Sequence, residues 1–150
     1  VSNFPSLSAH FGFDECFVNS HGLRIEELPP LIEERMRYCA QNVLEPWREK
    51  VGPIQVNSWY RNQALNDAVG GEPDSQHMKG EATDCVPLNM PLRLAFEMLV
   101  RSKLPFDQAI LYPNRGFIHV SCRSGERLER QANRRQMLQC DKRGSYIVYR

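Results

Sequence analysis

Between Leu28 and Trp47 the apolar side chains fall at Leu28, Leu31, Ile32, Met36, Cys39, Ala40, Val43, Leu44 and Trp47. A repeat near 3.6 residues over twenty positions admits one amphipathic helix and excludes a strand. Such a helix has a wide apolar stripe and needs a partner surface to cover it. Pro29 and Pro30 suit its first turn, where amide hydrogens have no partner in any case. Pro46 is expected to kink or end it, because proline lacks the donor and its ring meets the preceding turn.

The rest of the chain supplies that partner in short pieces. After the Gly52-Pro53 break, IQVNSW reads as a strand, and Arg61 to Val69 as a short helix stopped by Gly70-Gly71. GEPDSQHMKGE is a polar loop, ATDCV is strand-like, and PLRLAFEMLVRS has helical period behind Pro91. FDQAILY and GFIHVSC form a hairpin about a Pro-Asn-Arg-Gly turn. RLERQANRRQMLQ has no clear type, and DKRGSYIVYR reads as a turn and a strand. Local strand pairs mixed with helices predict an α+β protein with a small, mostly antiparallel sheet. There is no repeat and no linker-like segment, so residues 1–150 are read as one domain, a size that buries about two-thirds of its unfolded surface.

Composition excludes several classes. At 41% hydrophobic and 25% charged, the chain is neither disordered nor membrane-embedded. No apolar run approaches the roughly twenty residues of a membrane helix. The opening VSNFPSLSAHFGFDE lacks the basic and apolar regions of a signal peptide. A net charge of +1 argues against nucleic acid as the main partner. From Arg123 to Arg150, however, eight basic residues stand against three acidic ones, which implies an amphipathic basic tail or a polyanion-binding edge. The five cysteines (16, 39, 85, 122 and 140) contain no CxxC pair, and buried free thiols are expected.

Chemistry concentrates in SQHMKGEATD, residues 75–84. His77 and Asp84 offer a nitrogen and an oxygen, and Gly80 lets the loop turn back so that both face one point. A zinc enzyme site needs about three protein ligands and an open position, so a third is required from a rigid element. His10 and His21 lie in the irregular N-terminal segment. His119 lies in GFIHVSC between apolar neighbours, where a hydrogen-bonded core histidine and a ligand are both possible readings.

These stretches resemble the zinc D-Ala-D-Ala peptidases of family M15. SQHMKGEATD is similar to the family's S-x-H-x-x-G-x-A-x-D signature, and FIHVSC to its second motif. SWYRNQALNDAVGG, FDQAILY and NRRQM match further blocks in order, as do FGFDE and LEPWREKVGPI near the start, so the likeness spans nearly the whole chain. The resemblance implies a hedgehog/DD-peptidase-like α+β fold and a Zn²⁺ cofactor held by His77, Asp84 and His119. It also implies action on peptidoglycan stem peptides containing D-amino acids, as D,D-carboxypeptidase or endopeptidase. Similarity to phage-type members implies an endolysin-like chain made in the bacterial cytoplasm before it meets the cell wall. Carried over by motif, Arg61 faces the substrate carboxylate or developing oxyanion, Ser75 shapes the loop and with Gln108 lies on the substrate side, and Asp107 is expected to accept from a ligand imidazole.

One element of the pattern is missing. Relatives place a glutamate five residues after the aspartate that matches Asp107, or an acid or histidine two or three before the last ligand. Here Tyr112, Phe117 and Gly116 occupy those places, and no Asp or Glu lies between Asp107 and Glu126. Three readings follow. The general base comes from Glu81, Asp74 or Glu72; or Tyr112 takes part, better as an oxyanion donor than as a base; or the domain binds zinc and cell-wall peptide without cutting.

Overall fold

The computed structural model describes residues 6–23 and 27–150. Residues 1–5, part of the opening read for a leader, lie outside them. The amphipathic run forms α1 (Pro30–Cys39), a π-helical turn (Ala40–Leu44) and α2 (Glu45–Val51), followed without a break in the helical backbone. Pro46 therefore does not end the helix. The Glu45 N–H reaches back to the Ala40 carbonyl, five residues away, and this widened turn takes the proline into the first turn of α2. Gly52, at φ 83°, stops the helix, a backbone angle that glycine adopts without cost.

A six-stranded sheet in the order β1-β2-β4-β3-β5-β6 receives these helices. Its strands are β1 (Ile54–Ser58), β2 (Ala82–Pro87), β3 (Gln108–Tyr112), β4 (Phe117–Ser121), β5 (Gln136–Cys140) and β6 (Tyr146–Val148). All pairings are antiparallel except β3 with β5. That exception follows from α5 (Gly125–Arg130), which carries the chain across before β5 begins. The fold is α+β with a mostly antiparallel sheet, as expected. The stretch of unclear type resolves into α5 and β5, and the helix expected from Arg61 begins at Gln63 as α3 (Gln63–Val69), its amide at Leu65 capped by Asn62.

Period-two alternation gives the sheet two unlike faces. Cys85, Ala109, Leu111, Ile118 and Val120 join the main core with Met36, Trp47 and with Phe96 of α4 (Leu92–Val100). The Trp47 indole donates to the Ala95 carbonyl at 3.0 Å and ties α2 to α4. On the opposite face Ile110, Tyr112 and Cys140 form a small separate cluster with Phe117 and Leu138. This second face stays open and carries Asp84 and His119.

Two expectations are corrected. Cys39 and Cys122 are joined as a disulfide, with Cα atoms 6.1 Å apart, linking α1 to the residue just beyond β4. They lie 83 residues apart, so spacing carried no sign of the pairing. Cys16, Cys85 and Cys140 are buried and free, and burial pushes the Cys16 and Cys85 thiols up to about 12. The basic tail is also not a purely solvated surface: Arg123, Arg127 and Arg134 reach inward to buried acids. Among the described residues no helix is long and apolar enough to cross a membrane.

Gly80 joins α1 to the open face. Its φ is 74°, and a Cβ there would meet Ile32 Cγ2 and Met36 Cγ at 2.8 Å and the Ile32 carbonyl at 3.0 Å. Gly80→Ala is expected to destabilise by about 2–5 kcal/mol, combining a left-handed backbone with overpacking against α1. Chemical denaturation measures it; an unchanged midpoint would show that the loop does not depend on that contact.

Candidate metal centre

Asp84 on β2 and His119 on β4 are paired directly across the antiparallel ladder, so their side chains emerge side by side on the open face. Ile118 and Val120, the apolar neighbours of His119, point the other way into the core. His77 comes from the loop, on a 3₁₀ turn (Gln76–Lys79) that Ser75 begins by accepting the His77 amide and Gly80 ends. Trp59, fully buried, clamps this loop twice. Its carbonyl accepts from His77 Nδ1 at 2.7 Å, and its indole donates to the Gly80 carbonyl at 3.3 Å. The Arg61 amide adds a third tie, to the His77 carbonyl at 3.1 Å.

Those contacts decide which atom His77 presents. A ring nitrogen facing a carbonyl must carry the proton, so Nδ1 is protonated and Nε2 of the neutral ring is a lone pair. Burial lowers the His77 pKa despite the pull of Asp84, which keeps the ring neutral. Nε2 is buried with no hydrogen-bond partner and lies 3.3 Å from Asp84 Oδ1. His119 Nδ1 lies 3.0 Å from the same oxygen. Burial opposes the charge of Asp84, yet the hydrogen bond with His119 holds its carboxyl well below the usual range. A lone pair aimed at an ionised carboxylate is unfavourable unless a cation stands between them. The ligand atoms of His77, Asp84 and His119 all lie within 4.8 Å of one another, a cluster able to hold a metal ion. Two imidazole nitrogens and one carboxylate oxygen suit zinc.

A cavity of about 1040 Å³ opens over this cluster. Arg61, Ser75, Gln108 and Tyr112 line it with the three candidate ligands. The Arg61 guanidinium is 3.6 Å from Asp84 Oδ2, half-buried, so it is not a solvated surface arginine. Gln108 donates to the Gln136 side chain at 2.7 Å, and the Tyr112 hydroxyl meets that of Tyr146 at 3.0 Å. Burial, with the Tyr146 contact, raises the Tyr112 pKa far above its ordinary value, so the phenol keeps its proton.

Glu81 and Asp107 sit elsewhere. Glu81 turns from the cavity and is buried against Arg127 at 2.6 Å and the Ser124 amide at 3.0 Å, which leaves it no access to a substrate. Asp107, also fully buried, accepts from the Arg134 amide and guanidinium at 2.8 Å and lies 3.7 Å from Arg123. It accepts from neither imidazole; the carbonyl of Trp59 serves His77 in that role. Glu72 and Asp74 do line the cavity. So do residues with no chemical motif of their own, including His21 on the N-terminal segment and Tyr146 on β6. Trp59 escaped the sequence reading because it acts through its carbonyl, which every residue type has. Its place in SWYR, two residues before the cavity-lining Arg61, was the available signal.

Three outcomes are expected. Purified protein should hold one zinc per chain by elemental analysis, and His119→Ala or Asp84→Asn should lose it; undiminished zinc in His119→Ala would remove that residue from the centre. Zinc at a hundred times its Kd should add about 2.7 kcal/mol to stability. Asp107 has a lowered pKa: burial opposes its charge but the arginines prevail, so its stabilisation is present above the ordinary carboxylate range and lost as pH falls through its depressed value. Asp107→Asn should therefore cost about 2–4 kcal/mol at neutral pH and less in acid; an equal cost at both would mean the ion pairs contribute nothing.

No curated protein matches the chain. Residues 9–121 match the family model described as Peptidase M15, well over half of the chain, and the matched stretch contains His77, Asp84 and His119. The chain belongs to the peptidase M15 family, which makes it a metallopeptidase by descent.

Proposed function

We propose that the chain is a zinc-dependent peptidase cutting D-amino-acid-containing stem peptides of peptidoglycan, on a scaffold of the hedgehog/DD-peptidase kind. The observation that carries this reading is His77 Nε2: a buried, unpartnered lone pair converging with Asp84 and His119 on the floor of an open cavity. Held by those three residues, zinc would supply Lewis acidity for a peptide carbonyl and for the attacking water. The protein's own groups do the rest. Arg61 presents its planar fork beside the centre, where it grips a substrate carboxylate or the oxygen that gains charge. Tyr112 is a proton donor and not a base, since burial and Tyr146 keep it protonated. Proton transfer is assigned to Glu72 or Asp74 on the metal loop, the carboxylates of that loop that line the cavity besides Asp84. Lysis, entry or wall remodelling would each use such an activity.

Tyr112 in the expected place of a glutamate favours the second reading, a zinc module that binds cell-wall peptide without cutting it. Digestion of peptidoglycan by the zinc-loaded protein, with product masses, separates the two and identifies the bond. Arg61→Lys should fold and keep zinc yet lose about 10²–10³-fold in rate, because an ammonium cannot reproduce the fork. Glu72→Gln or Asp74→Asn should cost about 10²–10⁴-fold. If the native protein cuts nothing while Tyr112→Glu does, the binding module replaces the enzyme.

A further inference from the structure

The cavity wall carries an unusual number of arginines, and all but one are matched by acids. Arg61 faces Asp84, Arg127 pairs with Glu81, and Arg123 and Arg134 share Asp107. Arg115 also lines the cavity, from the β3–β4 turn, and among the described residues it has no carboxylate within ion-pair distance. It is exposed, but its side chain lies beside two aromatic rings. Its guanidinium carbon lies 5.6 Å from the centre of the Tyr112 ring and 5.1 Å from that of Phe117. Those two rings are stacked with centroids 4.4 Å apart. Tyr112 is in turn held by Tyr146, and the turn is closed by bonds from the Arg115 and Gly116 amides to the Tyr112 carbonyl.

A guanidinium beside aromatic rings gains a cation–π contact without using up its N–H donors, which remain available to an anion. Restricting the side chain beforehand lowers the entropy lost when an anion is bound. We propose that Arg115 is a specificity-determining residue that binds a second carboxylate of the substrate, one remote from the bond at the metal centre. The ligand class is a peptide with an anionic branch or side chain, gripped at Arg115 while Arg61 acts beside the ligands. The proposal rests on the peptidase reading for the identity of the peptide, but the anion subsite itself does not require cleavage.

Two synthetic peptides, acetyl-L-alanyl-γ-D-glutamyl-L-lysine and its α-carboxamide at the glutamyl residue, test it by calorimetry on zinc-loaded protein. The free carboxylate is expected to bind roughly five- to tenfold more tightly, with the preference falling as salt is raised. Arg115→Met should abolish the preference and leave the carboxamide's affinity within about twofold. Arg115→Gln, which keeps a planar donor without charge, guards against lost packing on the rings and should show the same result. For any stem peptide that is cut, both substitutions should raise KM far more than they lower kcat. Equal binding of the two peptides by the native protein, or a preference that survives both substitutions, overturns the proposal. Binding with the preference but no cleavage would sink the peptidase reading and leave this subsite standing; cleavage without the preference would do the reverse.

Discussion

The register between β2 and β4 is the constraint on which the rest of this structure depends. With Asp84 opposite His119, both face the open side, and Cys85, Ile118 and Val120 face the helices. A slip of one residue would exchange the two sets, burying the polar pair in the core and exposing its apolar neighbours. The apolar alternation that secures the core therefore also secures the candidate metal centre. Folding energy and site geometry are held by the same strand pairing.

The third candidate ligand, His77, is attached differently, through a loop whose shape comes from Trp59 and Gly80. Trp59 fixes the tautomer of His77 through a backbone carbonyl and holds the end of the loop through its indole. Gly80 lets α1 approach so closely that no side chain fits between. The long amphipathic helix thus has two partners: the core face of the sheet, and the turn that delivers His77. This is why a helix far from the cavity in sequence and chemistry has a hand in its geometry.

Buried acids on this scaffold are matched by arginines from the C-terminal third. Glu81 takes Arg127 and Asp107 takes Arg134 and Arg123, each pairing a carboxylate with no exposure to a partly accessible cation. These pairs tie α5 and the segments on either side of it to the sheet and bring positive charge to the cavity wall. A segment that reads as a basic tail is in this way half framework and half lining. The carboxylates that stay free at the cavity, Glu72 and Asp74, are those on the loop before His77.

The sequence by itself determined the periodic elements and the identity of the three candidate ligands. Helical spacing from Leu28 to Trp47 and alternation in FDQAILY and GFIHVSC are local patterns, legible because the backbone's two periods impose them, while the ligands were legible through the resemblance of SQHMKGEATD and FIHVSC to the family's motifs. What only the tertiary structure decided are the relations among distant residues that have no local signature. The Cys39–Cys122 link, the turning of Glu81 and Asp107 to arginines, the π turn that carries the helix through Pro46, and the carbonyl of Trp59 facing His77 are of this kind. Each depends on which face a side chain presents once the sheet has formed, and a carboxylate reads the same in sequence whether it faces a cavity or a buried guanidinium.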